Sequence, residues 1–346
     1  MPEETTWKQS QSLPQDAVEQ LQDLLAVHPL QADDLAYDDD GASIISGASE
    51  DWVEGLNANV INYKYENGRR YHAFHEGAYL VPNDDEEQER MDLGHHIYRL
   101  ILGGKLHLAP ITNPQRILDL GTGTGIWAID MADEYPDAEV LGTDLSPIQP
   151  QWTPVNCKFE VDDFESEWVY HKPFDFIHSR ELGGCITDNE LLFHQAFQNL
   201  TSGGYLEMQA VYPVFVSDDD TADKATHAQS WMETICEGSK RFGKPLDSAL
   251  EWEDKMRRVG FVDVRREVHK LPIGEWPKDP KLKEIGKFQA VQEDRLVESY
   301  TPALFSRVLG WNAAEIQVFM AKVKEDLRNP SIHIYLPVYF VWARKP

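Results

Sequence analysis

"RILDLGTGTGIWAID", residues 116–130, decides the fold. An apolar run ends in glycines and resumes in a pattern that suits a helix. Strand, glycine turn and helix form the unit that holds nucleotide-like ligands, because glycine lets the backbone turn tightly and approach the ligand closely. The spacing is Asp-x-Gly-x-Gly-x-Gly, from Asp119 through Gly121, Thr122 and Gly123 to Gly125. A dinucleotide fingerprint carries its third glycine three residues after the second. Here that place is Ile126, whose side chain would crowd a pyrophosphate. The turn suits a ligand without phosphates.

Working outward, "AEVLGTDL" (138–145) reads as a second strand with Asp144 and Leu145 at its tip. An acid there accepts hydrogen bonds from both ribose hydroxyls of a bound nucleoside. "NCKFEVDD" (156–163) reads as a third strand. Asp162 or Asp163 would bond an adenine amino group while Phe164 stacks on the ring. Nicotinamide cofactors share the ribose acid, so Asp144 alone does not discriminate. Three stations in order, behind a turn that rejects pyrophosphate, point to S-adenosylmethionine (SAM). Asp119 is placed to help hold its ammonium group, directly or through water.

Further strands are expected at "FDFIHSR", "GGYLEMQAVY", "FVDVRREVHKL" and "SIHIYLPVYFVWAR", with helices between them. Such alternation predicts an α/β fold, a mainly parallel sheet with helices on both faces. A helix over 83–104 is capped by Asn83 or Asp84 and closed by Gly103-Gly104. Residues 270–312 break the alternation and read as a helical insertion covering the site. Residues 1–55 are polar and acidic, with "DDLAYDDDGASIISGASED" at 33–51, and are expected to stay largely disordered apart from a short helix at 16–28.

Lys and Arg total 32 against 59 Asp and Glu, a formal charge of -27. So acidic a chain repels a phosphate backbone, which argues against nucleic acid as partner. The acidic tail would instead suit a protein partner. Cys157, Cys185 and Cys236 form no paired framework, as expected of a protein in a reducing compartment, cytoplasmic or nuclear. No window approaches the roughly 18 apolar residues that span a bilayer, and "MPEETTWKQSQSLPQD" (1–16) shows neither the basic start nor the apolar run expected of a signal peptide.

These motifs together resemble the fungal LaeA-like (UMTA-type) methyltransferases of the class I SAM-dependent fold. The resemblance rests on "YENGRRYHAFHEGAYLVPNDDEEQERMDLGHH", "ILDLGTGTGIWAIDMA", "GTDLSPIQP", "FDFIHSREL", "GGYLEMQ", "LPIGEWPKDPKLKEIG", "LGWNAAEI" and the final "PVYFVWARKP". It spans roughly 55–346. It implies a Rossmann-like seven-stranded sheet with an antiparallel last strand, a helical cap before the first strand, SAM as cofactor and a setting in fungal secondary metabolism. It does not name a methyl acceptor, since the family includes both small-molecule enzymes and a regulator. Ser202 replaces the family's usual proline, and Ala210 stands where glutamate often follows "EMQ".

Methyl transfer needs a base only where the acceptor loses a proton during attack. His72 and His178 are the candidate bases. Arg180 or Arg70 would pair with a carboxylate, and Tyr71 would line the sulfonium pocket. Trp152, Trp168, Tyr212 and Trp231 are candidates for an aromatic acceptor site. His72, His75 and Glu76 offer HxxH but no third cluster, so no metal is expected. The function expected is methyl transfer to a small-molecule acceptor. The alternatives are a regulatory protein acting through partners and a protein methyltransferase.

Overall fold

The computed structural model describes residues 29–33, 63–66, 68–72 and 80–346. Most of the acidic segment 1–55 lies outside these residues, as do the helix expected at 16–28, His75 and Glu76. Within that segment, Ala32 bridges Pro277 in antiparallel fashion, and the Lys283 ammonium pairs with Asp33.

A short hairpin comes first, β1 (Lys64–Glu66) and β2 (Arg69–Tyr71). Helix α1 (Asp85–Ile101) follows, capped by the Asp84 carboxylate, which accepts the Glu87 N–H at 3.1 Å. Acids at Asp85, Glu86 and Glu87 complement the positive end of its dipole. Arg69 grips the same Asp84 at 2.6 Å, so the hairpin is pinned to the start of α1.

The sheet contains β3 (Arg116–Leu120), β4 (Glu139–Asp144), β5 (Cys157–Val161), β6 (Phe174–Arg180), β7 (Leu200–Val211), β8 (Val262–Pro272) and β9 (Tyr335–Arg344). Its seven strands run in the order β5-β4-β3-β6-β7-β9-β8. β3 to β7 are parallel, and β9 is antiparallel to both its neighbours. The chain winds outward from β3 to β5, then returns to start β6 on the other side of β3. That reversal opens a crevice beyond the carboxyl ends of β3 and β6, where open α/β sheets bind ligands.

Helices α2 (Ile126–Glu134), α3 (Asn189–Asn199), α4 (Thr226–Phe242), α5 (Trp252–Val259), α6 (Pro280–Ala303) and α7 (Ala313–Leu327) flank the sheet. β9 is apolar almost throughout and buried along most of its length, as a strand covered on both faces must be. The larger core joins β8 and β9 to α1, α4, α6 and α7 around Trp231, Phe305, Val338 and Phe340. A second core sits beneath α2, built from Ile117, Trp127, Met131, Val140 and Phe176. One carboxylate is buried in mid-sheet: Glu207 of β7 accepts the N–H groups of Leu108 and Ala109 at 2.9 and 2.6 Å and the Gln209 amide at 2.7 Å.

The segment 270–312 resolves into the end of β8, the 24 residues of α6 and a π-turn over Leu304–Val308. α6 runs close over the end of β8. A Cβ on Gly286 would lie 2.1 Å from the Gly274 carbonyl oxygen, so only glycine permits that approach.

Candidate active site

The crevice is a single cleft. At one end lie Gly121, Thr122, Gly123, Asp144, Leu145, Asp163 and Phe164. The β3–α2 turn is left-handed at Gly121 (φ 60°) and Gly125 (φ 80°). A side chain at Gly121 would strike Leu182, its Cβ 2.4 Å from Cδ2. Gly125 does not line the cleft. Its Cβ would lie 2.3 Å from Cζ of Phe159, so this glycine lets α2 pack on β5.

Asp144 ends β4 with both oxygens engaged, accepting the Gly123 N–H at 2.8 Å and the Ser146 N–H at 2.9 Å. Its carboxylate thus ties the glycine turn to the second strand. Burial pushes its pKa up to about 6, against those two bonds, which pull it down. At the third station Asp163 lines the cleft and its carboxylate accepts the Glu165 N–H at 2.9 Å. Asp162 does not line it; its carboxylate caps its own neighbour's N–H at 2.9 Å. The Trp168 indole donates to the Phe164 carbonyl at 2.9 Å and so fixes the backbone at Phe164.

The sheet register sets Asp119 beside His178. Asp119 is buried, and its oxygens accept the His178 Nδ1–H at 2.8 Å and the Thr122 hydroxyl at 2.6 Å. Asp119 thus ties the glycine turn to His178, and it also lines the cleft. His178 lies face to face with the Trp127 indole, ring centroids 3.6 Å apart. Its burial depresses the imidazole to about 4, although the Asp119 bond acts upward. The ring is therefore neutral at pH 7. With Nδ1–H given to Asp119, Nε2 is an acceptor, and this buried atom has no protein partner. It lies on a residue that lines the cleft.

Arg180, at the end of β6, is held in three ways. Nε donates to the Gln209 carbonyl at 2.8 Å, Nη1 to His95 Nδ1 at 3.1 Å, and the guanidinium covers the Tyr98 ring at 4.5 Å. Burial lowers the His95 pKa, keeping that ring neutral, and its Nε2–H donates to Asp130 at 3.0 Å. The next residue, Glu181, has a left-handed backbone (φ 57°), a strained state for a residue with a side chain. Its carboxylate accepts the Tyr98 hydroxyl and, at 3.0 Å, the Val211 N–H. Glu181 also lines the cleft.

Two expected site residues are elsewhere. Tyr71 and His72 are buried but do not line the cleft. The hairpin is pinned at Asp84, and Tyr71 lies beneath the Arg307 guanidinium, 4.8 Å from its ring centroid. Arg70 is spent on Asn83, whose side-chain and backbone oxygens it reaches at 3.2 and 2.7 Å. The expected aromatic acceptor wall is also absent from the cleft: Trp152 is 91% exposed, while Tyr212 and Trp231 belong to the core. The inner wall is aliphatic instead, with Met232 and Ile235 of α4, Leu246, Leu271 and Leu336, joined by Leu296 and Tyr300 of α6. Gln289, Gln292 and Glu293 of α6 also face it. Glu181 was adjacent to residues already singled out from sequence. The α6 residues carry no local signal, and only the fold brings them to the site.

The arrangement fits SAM. The glycine turn leaves no room for a Cβ, and acids stand at the second and third strand tips where ribose and adenine would be read. Among the described residues no group of three His, Cys, Asp or Glu could hold a metal, and no helix is long and apolar enough to cross a membrane. Fold and site together define a class I methyltransferase.

A family model described as a methyltransferase domain matches residues 93–265. Methyltransferase pytC of Aspergillus terreus is 41% identical over 293 residues, 84% of this chain and 90% of pytC. The secondary metabolism regulator LAE1 of Cochliobolus heterostrophus is 35% identical over 301 residues, 84% of this chain and 98% of LAE1. Protein-methionine methyltransferase laeA of Emericella nidulans is 32% identical over 294 residues, 84% of this chain and 78% of laeA. The chain belongs to the fungal LaeA-like family of class I, SAM-dependent methyltransferases.

Proposed function

We propose that this enzyme methylates a small-molecule acceptor in fungal secondary metabolism. One observation carries the reading. Beyond the glycine turn the cleft is lined mainly by aliphatic side chains of α4, α6 and the ends of β8 and β9, with only a few polar groups among them. Concave, mostly apolar clefts with a few convergent polar groups suit small ligands.

SAM supplies an activated methyl group on a sulfonium, so positioning accounts for much of the rate. Asp144 reads the ribose, while Asp163 and Phe164 read the adenine. Asp119 fixes the imidazole of His178, leaving Nε2 to accept a hydrogen bond, or a proton, inside the cleft. Arg180, immobilised by Gln209 and His95, offers the positive charge a carboxylate would need at the switch point. A docking role for the acidic tail would add a protein partner to the same enzyme.

The relatives include a protein-methionine methyltransferase, so the test concerns where the methyl goes. Full-length protein is incubated with methyl-labelled SAM and either a small-molecule extract of a fungal culture or its protein fraction. Label passing into small molecules supports the proposal. Label passing only into protein refutes it and favours the regulatory reading.

A further inference from the structure

The inner end of the cleft carries a charge that the methyl-transfer reading does not use. Glu293 of α6 is 1% exposed and lines the cleft. Its one hydrogen bond comes from the Gln289 amide at 2.8 Å, within its own helix. It forms no ion pair among the described residues. The nearby cations are committed elsewhere: Arg90 grips Glu87 at 2.6 Å, and Arg180 is held by Gln209 and His95. At the mouth, Lys244 is paired with Glu165 at 2.5 Å.

Burial pushes the Glu293 carboxyl up to about 7; the Gln289 amide and, at longer range, the Arg90 guanidinium pull it down, and Glu181 adds a smaller push upward. Arg90 is bonded to Glu87 and acts on Glu293 only at longer range, so among the described residues no cation is bonded to Glu293. A buried carboxylate without a cation is costly, and such groups are retained where a ligand completes them. A hydroxyl donor would satisfy one lone pair but leave the charge buried. A cationic nitrogen cancels it.

We propose that Glu293, backed by Glu181, selects an acceptor bearing a basic nitrogen and holds that nitrogen as an ammonium ion at the inner end of the cleft. The inference rests on the small-molecule reading above and supplies its substrate class. The aliphatic residues Met232, Ile235 and Leu296 beside it would cover the carbon skeleton, while Tyr300 adds an aromatic face suited to a cation.

The test uses the full chain saturated with S-adenosylhomocysteine (SAH), and two probes of one shape, benzylamine and benzyl alcohol, titrated by calorimetry at pH 7.5. Benzylamine is expected to bind about tenfold more tightly, the contribution of one charge-assisted hydrogen bond. In Glu293→Gln the preference should fall to about one, with SAH affinity unchanged as proof of a folded cofactor end. Glu293→Asp, which keeps the charge, should retain part of the preference. No preference in the wild-type protein, or an undiminished one in Glu293→Gln, overturns the proposal. Tighter binding of 4-methylphenol than of benzylamine, lost in Glu293→Gln, would also overturn it in favour of a hydroxyl acceptor, leaving the small-molecule reading intact. That reading fails separately, by label entering protein alone.

Discussion

Replacing Asp144 by asparagine tests the cofactor site where its geometry is best defined. The carboxylate accepts the Gly123 and Ser146 N–H groups at 2.8 and 2.9 Å and would accept the ribose hydroxyls as well. An amide has one oxygen, so its nitrogen must face either a turn N–H or a hydroxyl. Each hydrogen bond to an ionised group is worth about 1.5–3 kcal/mol. Losing one to the ribose and weakening one in the turn costs about 2–4 kcal/mol, or roughly 30- to 700-fold in SAH affinity. The pH dependence sharpens the test. Burial lifts the carboxyl to about 6 in the free protein, and ribose hydroxyls that donate to the ionised form must lower it in the complex. Wild-type affinity should then be level above about pH 7, fall as pH drops through 6, and approach about tenfold per unit below it. Asp144→Asn should lose that limb. Stability of the unliganded protein runs the other way: with the folded pKa above the unfolded one, the native state binds more protons between the two values. The protein therefore gains stability from this group as pH falls from 7 towards 4. Calorimetric titration with SAH from pH 5 to 8 at fixed ionic strength decides the matter. A level wild-type profile, or a variant within threefold of wild type, would refute the ribose assignment.

Three further outcomes follow from particular contacts. Gly125→Ala forces a side chain into a left-handed backbone and onto Phe159, and should lower stability by about 2–4 kcal/mol, read as a drop in Tm; an unchanged Tm would mean that α2 can shift away from β5. Glu207→Gln presents an amide N–H to one of the donors at Leu108, Ala109 or Gln209, and should cost about 2–3 kcal/mol in urea unfolding with no change in the slope of the transition. His95→Ala removes the ring that positions Arg180, and should reduce methyl transfer while leaving SAH affinity within threefold. A matching loss of SAH affinity would assign His95 to the cofactor end instead.

The convergence of the glycine turn and the two strand tips on one cleft was legible in sequence because each is a local unit. Each station is a strand tip and its following turn, and Gly121, Asp144 and Phe164 occupy theirs whatever the rest of the chain does. Even there, local pattern could not assign jobs. Gly125 belongs to the same glycine run as Gly121, yet it serves the packing of α2 on Phe159. Asp162 and Asp163 were equivalent as letters, and only the path of the chain after β5 separates them. Asp119 read as a group for the cofactor's ammonium, but its bond to His178, 59 residues later, could not be read, because nothing in the sequence sets the two side by side. The parallel pairing of β3 with β6 does that.

The acceptor end was not legible, for a different physical reason. Its wall is drawn from α1, α4, α6 and the ends of β8 and β9, and none of these carries a motif. Tyr71 and His72 were plausible because they sit in a dense polar and aromatic stretch, but Asp84 pins their hairpin away from the cleft. Of the aromatic residues expected to hold an acceptor, Tyr212 and Trp231 went to the core, Trp152 to solvent and Trp168 to the backbone at Phe164, while aliphatic side chains took the wall. What sequence did mark was the break in alternation at 270–312. A segment that interrupts a βα pattern must pack somewhere, and here α6 crosses the carboxyl end of the sheet with Glu293 and Tyr300 facing inward. The same end holds Glu181 in a strained backbone and Glu293 with no cation bonded to it. Neither feature helps the chain fold, so the acceptor specificity of this enzyme should be sought on α6 and just after β6, not in the glycine turn.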